Sequence, residues 1–335
     1  MRTFAPSSNL LDNKKILVTG GTGSFGKAFV RFVLQNYKPA KLIVFSRDEF
    51  KQYEMSQEFS PEKYPCMRYF IGDVRDVDRL EMAFRDVDIV VHAAAIKHVT
   101  VAEYNPFECI ATNVIGAQNI VKAAINQKVK RVIALSTDKA VNPVNLYGAS
   151  KLAADKIFVA SNAMSGTQDT KFSVVRYGNV VGSRGSVVPL FKKLINEKSP
   201  FLPITDAAMT RFWITLEQGV NFTISSLDLM KGGEVFVPKI PSMCMVDLAS
   251  AMAPELEQKI VGIRPGEKIH EILISEDESR NTIDIGDRYI VYPNISNIIS
   301  EKSLAKGKKV AEDFHYASNN NDEWLNKEQL IDFIK

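Results

Sequence analysis

The chain has 335 residues and a 45% hydrophobic fraction, ample for a core and longer than a usual single domain, so two lobes or one enlarged one are expected. Its 42 basic and 39 acidic residues leave a net charge of +3, which is no nucleic-acid footprint, although a local basic patch could still hold a phosphorylated ligand. Cys66, Cys109 and Cys244 lack metal-ligand spacing, and His92, His98, His270 and His315 form no metal array. No apolar run approaches the ~18 residues of a membrane span, and the N-terminus has no apolar signal core. The cysteines therefore read as thiols of a reducing compartment, the Asn221 and Asn294 N-x-S/T matches as chance, and the protein as cytoplasmic.

The first element is an apolar strand at 15–19. It leads into Gly20-Gly21-Thr22-Gly23-Ser24-Phe25-Gly26, after which Ala28, Phe29, Phe32 and Val33 recur at helical spacing. Gly21-x-Gly23-x-x-Gly26 thus stands between strand and helix, the context that gives a G-x-G-x-x-G pattern its meaning. Glycine lets backbone approach a pyrophosphate closely, and the helix start offers it unpaired N–H groups. Gly20, Thr22, Gly23, Ser24, Phe25 and Gly26 are the candidate phosphate contacts.

A second strand at 41–45 ends in Ser46-Arg47-Asp48. An NAD site would place an acid there for the ribose 2′-hydroxyl. Ser46-Arg47 stands in that place instead, and a guanidinium fork suits a 2′-phosphate, so the cofactor reads as NADP. The alternative is that Arg47 is solvated and Asp48 merely starts the next helix. Ser46, Arg47, Asp48 and Lys51 join the candidate cofactor contacts. A third strand at 68–71 precedes Gly72-Asp73-Val74. A fourth, at 89–95, ends in Ala93-Ala94-Ala95, small enough for a cofactor to lie flat on the backbone.

Asn105-Pro106 opens a helix reaching about Gln127. Its apolar residues cover more than one face, so burial between the sheet and something else is expected, a subunit partner being one possibility. The fifth strand, 131–135, runs into Ser136-Thr137-Asp138-Lys139, with Tyr147-x-x-x-Lys151 soon after. Tyr147 and Lys151 share one helix face. A lysine beside a tyrosine favours the phenolate, giving a phenol able to take a hydroxyl proton near neutral pH. Asp138 and Lys139 add a second acid/base pair, which plain alcohol oxidation does not need.

A polar loop at 164–171 precedes the sixth strand at 172–176, and from about 179 the alternation weakens. Two helices remain readable, one from Thr215, where Thr215-x-x-Gln218 makes a capping box, and one near Val246. The repeated strand–helix alternation predicts an α/β, Rossmann-type doubly wound parallel sheet over 1–180, with a smaller α/β substrate lobe and tail over 181–335. Trp324 and Leu325 are expected to dock the tail.

With these motifs the chain resembles the extended short-chain dehydrogenases/reductases. Within them it is similar to the inverting UDP-N-acetylglucosamine 4,6-dehydratases, which begin bacterial pseudaminic acid and related nucleotide-sugar pathways. The resemblance spans nearly the whole chain. Gly20-x-x-Gly23-x-x-Gly26 and Tyr147-x-x-x-Lys151 belong to the superfamily at large, whereas Thr137-Asp138-Lys139 and Arg264-Pro265-Gly266-Glu267-Lys268 are more selective. The resemblance implies that Asp73 and Val74 meet the adenine and that Lys151 holds the ribose. Tyr147 would take the C4 hydroxyl proton as hydride passes to the nicotinamide. Lys139, as a neutral amine, would remove the C5 proton, which the C4 ketone has made acidic, and Asp138 would protonate the departing C6 hydroxyl. Hydride would return to C6 and C5 be reprotonated with inversion. Relatives that retain C5 configuration carry Glu where Lys139 stands.

The same resemblance expects Thr137 to bridge the sugar hydroxyl to Tyr147. It expects Asn179, Arg211 and Arg264 on the UDP, Glu267 on its ribose, and Arg184, Val187 and Lys193 nearby. Lys97 and His98 follow the fourth strand and would touch the sugar. A homo-oligomer is expected. Two other readings stay open: a UDP-hexose 4-epimerase, which needs Tyr147 and Lys151 but no C5 base, and a non-catalytic NADP-binding module.

Overall fold

The computed structural model describes residues 2–166, 169–183, 186–293 and 306–334. Apolar runs make strands β1 (Lys15–Thr19), β2 (Lys41–Ser46), β3 (Met67–Ile71), β4 (Ile89–His92), β5 (Arg131–Thr137) and β6 (Lys171–Tyr177). Helices α1 (Ser24–Asn36), α2 (Glu49–Glu58), α3 (Val77–Ala83), α4 (Val99–Tyr104), α5 (Pro106–Ile110), α6 (Gly116–Asn126) and α7 (Leu146–Ala160) connect them. Leu17, Val18, Val44, Val90, Val132 and Val174 are fully buried, as residues of a sheet covered on both faces should be.

Past β6 come β7 (Asn179–Val180), α8 (Val187–Asn196), β8 (Phe201–Ile204), β9 (Thr210–Ile214), α9 (Leu216–Leu229), β10 (Val235–Pro238) and β11 (Ser242–Cys244). They are followed by α10 (Met245–Met252), β12 (Glu257–Ile260), β13 (Ile272–Ile274), α11 (Glu276–Ser279), β14 (Thr282–Asp284) and β15 (Arg288–Val291). Last are β16 (Lys308–Lys309), β17 (Tyr316–Ala317) and α12 (Lys327–Ile334).

The main sheet has the order β16-β14-β15-β10-β6-β5-β4-β1-β2-β3. From β10 to β3 all neighbours are parallel, which is the doubly wound sheet expected. The antiparallel strands β15, β14 and β16 extend it. Chain from both sides of residue 180 therefore builds this one sheet, and α9 also returns to it, packing on α1. The remaining strands pair as β11-β9-β7, β12-β8 and β13-β17. A second core of Phe191, Leu202, Trp213, Met243, Leu248 and Leu330 lies there.

α9 opens with the Thr215–Gln218 capping box, and α10 begins at Met245. Leu325 docks the tail as expected, whereas Trp324 stays 42% exposed. The helix expected over 105–127 is broken into α5, a π-helical turn at Ala111–Ile115, and α6. The turn carries Asn113 inward. Its amide donates to Ile96 O at 3.0 Å and Ser150 Oγ at 2.9 Å and accepts from Ile96 N at 2.9 Å. Outward, Tyr104 and Phe107 are 89% and 86% exposed, so the apolar excess of this segment lies on the chain's surface. No helix among the described residues is long and apolar enough to cross a membrane.

Candidate active site

Strand order reverses between β1 and β4, the place where open α/β sheets form a crevice at their carboxyl ends. A cavity of about 780 Å³ lies there. The turn Gly20, Thr22, Gly23, Ser24, Phe25 and Gly26 lines one end of it. Gly20 has φ +63°, and a Cβ on it would come within 2.9 Å of the Ala94 backbone, so glycine is what lets this turn touch the loop after β4. α1 starts at Gly23 with no side-chain cap, which leaves its first-turn N–H groups available beside the cavity.

Ser46, Arg47, Asp48, Lys51, Asp73 and Val74 also line the cavity, as do Ala93, Ala94 and Ala95. Asp48 caps α2, accepting from Lys51 N at 2.9 Å. Arg47 is about half exposed and lies 3.5 Å from Asp73, which Arg75 holds more closely at 2.7 Å.

α7 begins with Asn145 accepting from Gly148 N at 2.7 Å. Tyr147, Lys151 and Asp155 follow at four-residue spacing on its buried face. A Cβ on Gly148 would overlap the Lys139 carbonyl oxygen, so glycine here lets α7 press against the turn at Asp138–Ala140 that follows β5. That contact brings Tyr147, Thr137, Asp138 and Lys139 to one wall of the cavity. Thr137 Oγ1 donates to Asp138 Oδ1 at 2.9 Å. Lys139 Nζ lies 3.1 Å from Asp138 Oδ1 and 2.9 Å from Glu271 Oε1.

Two electrostatic expectations change. Burial pushes the Tyr147 phenol up to about 12, opposed first by the Lys139 charge and then by a hydrogen bond with Thr137. Lys151 turns its ammonium to Leu135 O at 2.7 Å, so Lys139 is the main cation favouring the phenolate. The neutral amine expected of Lys139 is also not the form this site favours. Burial disfavours its charge, but the Asp138 and Glu271 carboxylates outweigh burial and hold the ammonium well above lysine's ordinary value. Asp138 is pushed up by burial, with Glu271 adding and Lys139 opposing. The wall thus carries a phenol, a carboxyl and an ammonium able to accept and donate protons within one small volume.

At the other end, Lys97, His98, Tyr177 and Asn179 line the cavity. The Asn179 Oδ1 is buried and has no hydrogen-bond partner among the described residues. Arg211 is not on the wall. Its guanidinium donates to Thr210 O, Ile269 O and Lys268 O at 2.7, 2.9 and 2.9 Å, because a buried guanidinium with five donors is satisfied by a set of carbonyls. Arg264 and Glu267 pair with each other at 2.9 Å and do not line the cavity. Lys193 faces solvent beside Glu197, and Val187 turns to the second core. Arg184 lies outside the described residues.

Sequence reasoning missed Glu271 and Lys268 around Lys139, and Asn113 behind Ile96. A signal for Glu271 existed: a lysine placed after a buried strand needs a counter-ion, and the Arg-Pro-Gly-Glu-Lys run continues to Glu271.

The sheet and this α7 wall define an extended short-chain dehydrogenase/reductase. The chain belongs to the polysaccharide biosynthesis protein family, which it matches over residues 16–293. It is 57% identical to the UDP-N-acetylglucosamine 4,6-dehydratase (inverting) of Campylobacter jejuni subsp. jejuni serotype O:23/36 (strain 81-176), over 97% of this chain and 98% of that one. A UDP-glucose 4-epimerase of Rickettsia bellii (strain OSU 85-389) is 39% identical over 96% of this chain and 95% of its own. Among solved structures, Pen from Bacillus thuringiensis superposes with a TM-score of 0.87 at 39% identity, covering 97% of this chain and 99% of that one.

Proposed function

We propose that the protein is an inverting UDP-N-acetylglucosamine 4,6-dehydratase, a hydro-lyase that uses NADP. The observation that carries the reading is Lys139 paired with Asp138 beside Tyr147 on one cavity wall, in a chain 57% identical to a dehydratase of that name. The Gly20 turn, the uncapped start of α1 and the small Ala93–Ala95 floor fit a dinucleotide. Arg47 on the wall at the end of β2 supports NADP over NAD. When bound, the nicotinamide supplies a reversible hydride acceptor.

The chain's own residues then divide the proton work. Tyr147, in contact with Thr137, takes the C4 hydroxyl proton, and Lys151 holds the ribose. Once C4 is a ketone, Lys139 removes the C5 proton and Asp138 protonates the leaving C6 hydroxyl, each such group contributing roughly 10²- to 10⁴-fold. Lys97 and Asn179 hold the UDP-sugar from the opposite end, with Arg184 as a further proposed contact; Arg264 and Glu267 would have to part from each other and turn inward to join them. The three free cysteines suit a cytoplasmic setting.

Incubation with UDP-N-acetylglucosamine and NADP in deuterated water, read early by mass spectrometry and NMR, tests the reading. The expected product has lost one water, carries deuterium at C5 and has the L-arabino configuration. Lys139→Ala should lose dehydration and C5 exchange together while keeping cofactor binding. Conserved mass would instead indicate epimerisation, the activity named for the Rickettsia bellii relative. A purely D-xylo product at the earliest time would remove inversion. Tight NADP binding with no turnover of any UDP-hexose would leave a binding module.

A further inference from the structure

Glu271 has no part in the steps above, yet it is 1% exposed and in contact with the proposed base. It stands just before β13, far along the chain from Lys139. Its backbone is clamped: Glu271 N donates to Ser318 Oγ at 2.9 Å, and Ser318 N donates to Glu271 O at 2.8 Å. Its Oε1 lies 2.9 Å from Lys139 Nζ and 3.8 Å from Arg211 Nε. Its Oε2 accepts no hydrogen bond among the described residues and lies 3.9 Å from Lys268 Nζ. Across the ammonium, Asp138 Oδ1 stands 3.1 Å from the same Nζ. One ammonium is thus gripped between two buried carboxylates, one beside Tyr147 and one brought by the C-terminal half of the chain.

Asp138 and Lys139 share a proton that has two resting places. Moving it from Nζ to Oδ1 breaks one N–H bond and makes one O–H bond, the electron pair staying on nitrogen. The result is an amine and a carboxylic acid with unchanged net charge. That second form is what C5 deprotonation and C6 departure require: a base at Lys139 and an acid at Asp138. A carboxylate against Nζ favours the first form.

We propose that Glu271 is a positioning residue that sets where this proton rests, holding it on Lys139 so that the elimination step, once C4 is a ketone, begins with its transfer to Asp138. The consequence for catalysis rests on the dehydratase reading, while the resting charge does not. Besides Asp138 and Lys139, the charged or titratable groups about Glu271 among the described residues are Arg211 and Lys268, with His270 next to it in the chain. Lys139 and Arg211 keep Glu271 ionised against its burial. His270 is bonded to Thr210 Oγ1 at 2.8 Å, and burial followed by Arg211 lowers its pKa, which favours the neutral ring.

Competitive labelling with acetic anhydride tests the charge without any sugar. The protein is labelled before NADP is added, so that the cavity Lys139 lines is open, from about pH 7 to about pH 10 and read lysine by lysine by mass spectrometry. Lys139 has a side chain 25% exposed against 12% for Lys268, so access alone would label Lys139 faster. The proposal expects Lys139 to label more slowly, because only the free amine reacts. Glu271→Gln should raise Lys139 labelling about tenfold or more at fixed pH, which is one pH unit of acidity. It should also move both limbs of the kcat–pH profile to lower pH, and Glu271→Asp should restore them. Faster labelling of Lys139 than of Lys268 in the unaltered protein would overturn the proposal, even if Glu271→Gln fails to fold. So would a Glu271→Gln protein with unchanged labelling and profile. A protein that shows the labelling shift but releases no water from UDP-N-acetylglucosamine would lose the dehydratase reading and keep this one.

Discussion

Arg47 meets Asp73 at 3.5 Å, a loose pairing from which a 2′-phosphate can draw the guanidinium. Arg47→Ala should therefore weaken NADP by about 10- to 100-fold, the worth of a charge-assisted hydrogen bond or two, and leave NAD nearly unchanged. Fluorescence titration of both cofactors checks this, and equal losses would take Arg47 out of the role. His92 makes a second residue-level case. Thr19 Oγ1 accepts from Ala93 N and Ala94 N, so its hydroxyl proton goes to His92 Nδ1 at 2.8 Å. Burial, with Lys151 adding, pushes the imidazole down to about 3 from 6.5. The folded pKa is depressed, so the stabilisation is complete above about 6.5 and is lost as pH falls toward about 3, at about 1.4 kcal/mol per pH unit. Urea midpoints should fall with acid over that window. In His92→Asn the slope should flatten by about one proton, and an unchanged slope would place the acid sensitivity elsewhere. At this scale the sequence was legible where chemistry sits within one short segment, as in Thr137 to Lys151. It misled at Arg211, because a cation's pattern does not say whether phosphate or its own backbone carbonyls will satisfy it.

At the scale of elements, the packing of α7 on the turn after β5 decides whether Tyr147 meets Thr137. Gly148→Ala would drive a methyl into the Lys139 carbonyl and push the helix away, an overpacking cost of roughly 1–3 kcal/mol. Turnover should drop sharply while NADP affinity, to which the Gly20 turn and Arg47 contribute besides Lys151 of α7, falls much less. Comparable losses of both would show that the helix and the glycine turn move together. Strands β1 to β6 could be read from the sequence because each is an apolar run bounded by turn residues. The π-helical turn at Ala111–Ile115 could not. One extra residue per turn rotates the apolar stripe, which in the sequence reads only as apolar residues on more than one face, and its purpose, seating Asn113 on Ile96 and Ser150, is tertiary. Glu271 escaped for the same reason, since its partner lies on a distant element.

At the scale of the whole molecule, Tyr104 and Phe107 are 89% and 86% exposed on adjacent helices, an uncommon outlay of aromatic surface. The proposed homo-oligomer accounts for it if that face meets a second copy. Light scattering should then give a multiple of 37.4 kDa, and Phe107→Asp should shift the mass toward one chain. A single-chain mass before substitution would end that account. The cofactor half was legible from strand–helix alternation, whereas the return of later strands to the same sheet was not, because β10, β14 and β15 are short and the pairings that join them to it, β10 on β6 and β15 on β10, are long-range.

That return governs how the protein is made. β6 leaves the ribosome well before β10, the strand that covers its free side, and β15 and β14 follow later still. At roughly 5–20 residues per second, the edge of β6 waits on the order of several seconds for its neighbour. A bare parallel edge is a template for pairing with another nascent chain. Yield from a cell should therefore depend on translation speed and chaperone supply between residues 177 and 235 more than on the stability of the finished fold.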